Sequence, residues 1–247
     1  MDNMDVSLFG SFQITYHGIC LDEQGIHSSK MAALLSYFLI YNDRKISTTE
    51  LNDILWEDDS NISNPLSALK NLMYRLRSLL KKEFKTADMI ITGKGSYYWN
   101  PQIKVHLDTD SFEELDKLLK KEHFSTCKDV DKLNSILKLY KGKFLPCISD
   151  KRWVVSLSTY YHSLYLRCAK ALAIKYEDLD EYEKMNSVCK DALVQDPLDD
   201  EMQYLLFLLY DLNIMMSQRS SIIGRVVFSM SDLESNSHSF FKKYIWN

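Results

Sequence analysis

Cations and hydrogen-bonding side chains are concentrated in residues 64–98. Six of these side chains fall on one side of a helix turning 100° per residue, and a seventh lies on the flank of that side. They are Lys70, Asn71, Tyr74, Arg75, Ser78 and Lys81, with Arg77 on the flank. Arg can donate two hydrogen bonds to guanine, Asn can pair with adenine, and Lys can bind phosphate. Because no acidic residue interrupts this face before Glu83, the pattern favours a surface that binds double-stranded DNA.

A helix over residues 65–82 would position these side chains. Asn64 can cap its free amides, and Pro65 suits its first position because the missing N–H is not needed there. Apolar residues recur at three- and four-residue steps and predict one buried stripe. The stripe is Leu66, Leu69, Met73, Leu76 and Leu80. An ordinary solvated face of a core helix is the alternative interpretation.

A short hairpin is predicted just after this helix. Residues 89–91 and 97–99 read as its strands, and Gly93 and Gly95 supply turn conformations. Lys94 at the tip, beside the small residue Ser96, could contact a minor groove or the DNA backbone. An ordinary hairpin whose aromatic face packs on the core is the alternative.

The preceding segments complete an α+β arrangement. Residues 30–41 and 47–56 predict two short helices, and Ser47 and Glu50 have the spacing of a capping box. The start of the second helix, including Thr48, is expected to hold phosphates, while the acids of residues 57–59 lie away from the basic helix. Residues 6–18 alternate apolar and polar side chains and predict a small antiparallel sheet.

Several segments together resemble a known family. LFGSFQIT, ALLSYFL, ISTTELNDILW, ALKNLMYRLRSLL and TGKGSYYWN are similar to the OmpR-type winged-helix DNA-binding domain of SARP-type (antibiotic-regulator-like) activators. LDTDSFEEL, LYKGKFLP, Trp153 with its following helix, and DPLDDEMQYLL resemble that family's bacterial transcriptional activator domain. The resemblance covers roughly residues 6–212. It implies an activator that binds direct repeats near promoters and contacts RNA polymerase, with a possible homodimer on DNA.

The second half of the chain has the pattern of an all-α domain. Helices are expected over residues 153–176, 181–195 and 198–212, and small residues such as Ala169 and Ala173 lie on packing sides. Paired helices of this length resemble tetratricopeptide-type repeats, although no strict 34-residue period is present. The aromatic cluster at residues 160–162 is more typical of core than of a contact surface. We expect three regions: a winged-helix domain (1–104), a tetratricopeptide-like helical-repeat domain (105–214) and a divergent tail (215–247).

Composition sets the limits on function. The chain has 247 residues, is 46% apolar and carries a net charge of −4, which alone argues against a nucleic-acid binder. Residues 64–94, however, include seven basic residues and only two acidic ones. Five scattered cysteines without a CxxC pair fit reduced thiols. The acidic start and short apolar runs indicate neither a signal peptide nor a membrane span, so we expect a cytoplasmic protein.

Sequence motifs for catalysis are weak. GKGS at residues 93–96 fails as a phosphate loop, because Asp88 stands where the first glycine belongs and Gly95 follows the lysine. The six histidines show no metal-ligand spacing, and no GxSxG turn occurs. We expect no enzyme activity, metal or cofactor. Three hypotheses remain: a DNA-binding activator, a helical-repeat adaptor that binds proteins without DNA, and an unrecognised enzyme.

Overall fold

A computed structural model describes residues 2–56, 64–85, 88–119 and 127–210. The chain divides into two compact units, residues 1–172 and 173–247. The acidic segment at residues 57–59 and the predicted tail at 215–247 lie outside the described residues.

The N-terminal part contains strands and short helices. In chain order these are β1 (Asp2–Ser7), β2 (Gln13–Tyr16), β3 (Ile19–Asp22), α1 (Glu23–Ile26), α2 (Ser29–Ile40), β4 (Ile46–Ser47), α3 (Thr48–Trp56), α4 (Pro65–Phe84), β5 (Ile90–Gly93), β6 (Ser96–Trp99) and β7 (Ile103–Leu107). Helices then dominate. They are α5 (Asp108–Leu119), α6 (Cys127–Leu137), a 3-10 turn (Pro146–Ile148), α7 (Arg152–Asp178), α8 (Tyr182–Gln195) and a helical segment at residues 200–210.

The first sheet has the strand order β3-β2-β1-β7. β1 is antiparallel to β2, as expected from residues 6–18, and on its other side it pairs in parallel with β7, a pairing that the sequence analysis did not predict. β7 has the period of a strand, because Ile103, Val105 and Leu107 are buried between more exposed neighbours. The predicted boundary at residue 104 therefore runs through a strand. The division into functional domains stays a prediction.

Helix α2 is the centre of the N-terminal core. Ser28 caps it by accepting a hydrogen bond from the amide of Met31, and every residue from 31 to 39 is buried. Helix α3 begins where Ser47 Oγ accepts from the Glu50 amide at 3.1 Å, which is half of the predicted capping box. The Glu50 carboxylate is instead bonded to Tyr37 Oη at 2.6 Å and to Arg44. Arg44 lowers the pKa of Glu50, and this trio fixes α3 against α2.

Phe9 is the centre of an aromatic cluster in the first unit. Ring centroids of Phe112, Tyr140, Tyr161 and Phe144 lie 4.8–6.1 Å from that of Phe9. The neighbouring Gly10 has φ +78°, and a Cβ there would lie 2.8 Å from the Lys141 carbonyl oxygen. We call Phe9 and the four aromatic residues around it the Phe9 cluster. Tyr161 is therefore core, whereas the adjacent Tyr160 is 44% exposed.

The carboxylate of Asp108 joins the end of β1 to the start of α5. One oxygen accepts hydrogen bonds from the amides of Leu8 at 2.8 Å and Phe9 at 3.1 Å. The other oxygen is buried and accepts no hydrogen bond from the part of the chain that the structure describes. Burial raises the pKa of Asp108 to about 6, although the amide bonds oppose this shift.

We expect Asp108 to make stability fall as pH rises. Its folded pKa lies above its ordinary value of 3.8, so its contribution is full below about pH 4 and is lost as pH rises through about 6. A shift of about two units corresponds to roughly 3 kcal/mol. The free energy of unfolding of wild type relative to Asp108→Asn should therefore fall by roughly this amount between about pH 4 and pH 7. Denaturant titrations at both pH values measure the difference, and a pH-independent difference would contradict the assignment.

The predicted late helices correspond to α7, α8 and the segment at residues 200–210. On α7, Leu164, Cys168 and Leu172 are buried, as the periodicity predicts. Ala169 and Ala173 are buried as well. Among the residues that the structure describes, none of the helices combines the length and apolarity needed to cross a bilayer.

Candidate nucleic-acid interface

Helix α4 forms because both of its ends are capped. Asn64 Oδ1 accepts a hydrogen bond from the Ser67 amide at 3.0 Å, and Pro65 occupies the first position. Lys85 adopts a left-handed conformation (φ 52°) at the other end. The helix buries Leu69, Leu72, Met73, Leu76, Leu80 and Phe84. Leu66, predicted as part of the buried stripe, is 54% exposed, since it lies in the first turn at the edge of the buried arc.

The opposite side of α4 presents the predicted polar face to solvent. Its six members are all exposed: Lys70, Asn71, Tyr74, Arg75, Ser78 and Lys81. We call these six residues the α4 outer face. Tyr74 is 74% exposed, which is high for a large ring and leaves it available for contact. Two acids lie close to this face among the described residues: Glu83 is paired with Lys82 at 3.1 Å, and Asp88 lines the same small cavity as Lys81. The α4 outer face itself contains three cations and no carboxylate.

Strands β5 and β6 form the hairpin that the glycine-tyrosine motif predicts. Thr92 pairs with Tyr97 and Gly93 with Ser96, which leaves Lys94 and Gly95 as the turn. Gly95 has the positive φ (+66°) that the turn requires, whereas Gly93 closes the strand pairing. Tyr97 and Trp99 are buried, so the aromatic face packs on the core. Lys94 at the tip is exposed, and its contact with DNA stays a prediction.

A third strand brings the start of α3 to the hairpin. Ser47 of β4 pairs with Ser96 of β6, and the Thr48 amide donates to the Gly95 carbonyl at 3.1 Å. The predicted phosphate-binding residues Thr48, Lys94 and Ser96 are thus brought together. Strand β4 has only two residues, which are too few to show the alternation of a strand, so the sequence pattern could not predict it.

Lys45 is a cation of this region that the sequence analysis missed. It precedes β4, is exposed, and its ammonium lies 5.5 Å from the centre of the Tyr98 ring. Its position beside the hairpin follows only from the pairing of β4 with β6. Lys45 therefore adds a positive charge to the side where Lys94 lies.

Arg77, on the flank of α4, contacts the hairpin. Its Nη2 donates to the Ile90 carbonyl and to Thr92 Oγ1, both at 2.8 Å. Its guanidinium carbon lies 5.7 Å from the centre of the Tyr97 ring. Of the predicted DNA-binding residues on α4, Arg77 is the half-buried one.

Within the described ranges, no group of three His, Cys, Asp or Glu residues could hold a metal ion. Cys168 and Cys189 are buried with a raised thiol pKa, which disfavours the reactive thiolate. The absence of enzyme activity stays a prediction.

No family model and no curated protein sequence matches this chain. Among solved structures, it is similar to Mycobacterium tuberculosis EmbR in complex with a low-affinity phosphopeptide. The TM-score is 0.67 at 18% sequence identity, and the match covers 94% of this chain but 61% of the EmbR chain. The chain thus spans about three fifths of that protein. The likeness shows that this chain shares the fold of that structure, with a small N-terminal sheet followed by helices.

Proposed function

We propose that this chain is a sequence-specific DNA-binding transcriptional regulator of SARP type. The observation that carries the proposal is the α4 outer face, whose six residues are all exposed opposite a fully apolar buried side. The fold shared with EmbR and the resemblance to SARP-type activators support the same function. In this proposal α2, α3, α4 and the hairpin form a winged helix, with α4 as its recognition helix.

Each part of the interface has a distinct chemical role. Arg75 and Asn71 carry donor groups suited to guanine and adenine edges in the major groove. Lys70 and Lys81 are placed to neutralise phosphates. Contacts with the backbone, which position a protein without reading sequence, come from Thr48, Lys94 and Ser96 near the hairpin turn.

The helical part supplies the regulatory contact. Stacked helix pairs of tetratricopeptide type commonly bind other proteins. We propose that it recruits RNA polymerase at direct-repeat operators in the cytoplasm, and that a second protomer can bind the adjacent repeat. The resemblance to SARP-type activators supports this step.

A helical-repeat adaptor is the second candidate function. Large apolar side chains on the last two described helices and in the turn between them favour it, because their exposure is high for a soluble surface. They are Val194 (76%), Leu198 (83%), Tyr204 (60%) and Phe207 (59%). An adaptor would use such side chains to bind proteins and would need no DNA.

Salt dependence of DNA binding separates the two functions. Neutralising about five phosphates predicts that log affinity falls against log salt with a slope of about −4 to −5. Anisotropy titrations with the promoter fragment beside the protein's own gene measure this slope, and footprinting on that fragment locates the repeats. A flat curve with no footprint would reject DNA binding and leave the adaptor.

A further inference from the structure

We infer that Arg77 is a positioning residue that locks the hairpin to α4, rather than a direct DNA contact. The inference rests on the proposed function and assigns Arg77 a role different from that of Arg75. Both arginines lie on α4 only two positions apart, but Arg75 is exposed on the outer face whereas Arg77 is half-buried on the flank.

The hairpin offers Arg77 a matched pair of acceptors. In the three-stranded sheet β4-β6-β5, strand β5 lies at the edge, where backbone carbonyls lack a neighbouring strand. One acceptor is the Ile90 backbone carbonyl, and the other is the side-chain hydroxyl of Thr92, two residues further along the same strand. Arg77 Nη2 lies 2.8 Å from both oxygens.

The same guanidinium also contacts the second strand. Tyr97 of β6 pairs with Thr92 of β5, and the Arg77 guanidinium carbon lies 5.7 Å from the Tyr97 ring centre. Arg77 Nε is itself buried without a hydrogen-bond acceptor among the described residues. Both N–H donors of Arg77 Nη2 are engaged by the hairpin. The contacts therefore hold it on the hairpin.

Locking the hairpin has a consequence for binding. A protein that contacts DNA at two places gains affinity only if both contacts can form at once. Arg77 fixes the position of β5 relative to α4, and so determines where Lys94 lies when α4 is in the groove. Without Arg77 the Lys94 contact would be lost in most encounters, even though Lys94 is unchanged.

A double-mutant cycle tests this coupling. Arg77→Gln is expected to weaken binding to the promoter fragment about tenfold, since charge-assisted hydrogen bonds are lost. Lys94→Ala should weaken wild type several-fold but have little further effect in the Arg77→Gln background. The matched control is Arg75→Ala, whose effect should multiply with that of Lys94→Ala. If the effects of Arg77→Gln and Lys94→Ala also multiply, Arg77 contacts DNA independently and the inference is wrong.

A second measurement does not need DNA. In the free protein, Arg77→Gln should speed hydrogen exchange of the hairpin amides, while Arg75→Ala should not. Unchanged exchange in Arg77→Gln would overturn the lock even if DNA binding is real. Conversely, faster exchange in a protein that does not bind DNA would reject the proposed function and keep the lock.

Thr92→Val provides a milder variant should Arg77→Gln fold poorly. It removes one acceptor and retains the shape of the side chain, so exchange of the same amides should quicken and DNA affinity should fall about threefold. In the Arg77→Gln background Thr92→Val should add nothing. An additional loss there would show that Thr92 acts independently of Arg77 and would contradict the lock.

Discussion

Replacing Lys70, Arg75 and Lys81 together with alanine is expected to lower affinity for the promoter fragment by at least about 100-fold. Loss of a good base contact costs roughly 1–3 kcal/mol, and each lost phosphate contact also removes a released counterion. The salt slope should therefore become shallower by about two to three units. Anisotropy titrations at several salt concentrations measure both quantities. The loss should be greater on the operator than on unrelated DNA, because Arg75 reads bases.

A matched triple variant separates local contacts from net charge. Lys104, Lys138 and Lys190 are exposed and lie outside the predicted interface, and their replacement by alanine changes the net charge equally. This control should keep nearly full affinity. If both triple variants weaken DNA binding by the same factor, the net charge of the protein attracts the DNA, and the α4 outer face is not the interface.

Phe9→Ala should produce the largest loss of stability, about 3–5 kcal/mol. Phe9 is 1% exposed and lies at the centre of the Phe9 cluster, so its removal leaves a cavity that four rings must surround. The tight approach at Gly10 limits how far the chain can collapse into that cavity. Denaturant unfolding followed by circular dichroism measures the free energy of unfolding.

Tyr160→Ala is the comparison for Phe9→Ala. Tyr160 is 44% exposed and lies beside the cluster member Tyr161, so its loss should cost less than about 1 kcal/mol. Similar costs for the two variants would mean that the Phe9 cluster is not the centre of the core in the first unit.

The α4 outer face was the part most open to prediction from sequence. Capping by Asn64 and Pro65 is local, and the helical period alone separates exposed Arg75 from buried Leu76. The hairpin could be predicted from sequence equally well, because the turn at Gly95 and the flanking strands lie within ten residues. Periodicity and turn chemistry act over such short distances, so the sequence carries them directly.

Other features depend on residues distant in sequence. Strand β7 joins β1 across about one hundred residues, and no local pattern indicates which strand edge it will meet. Glu50 has the spacing of a capping box, yet Tyr37 and Arg44 bind its carboxylate from outside the helix. The helical wheel places Arg77 on the flank of α4, but only packing shows that β5 lies opposite it.

By itself, the sequence determined which side of α4 is cationic and where the turn with Lys94 falls, because both follow from backbone periods and local sterics. Tertiary structure decided which of those cations remain exposed and which are used internally. The physical reason is that an unpaired strand edge needs hydrogen-bond donors, and the nearest donor in space is known only once the elements have packed. Arg75 and Arg77 show the difference: they are the same residue type on the same helix, but only Arg77 contacts the edge of β5.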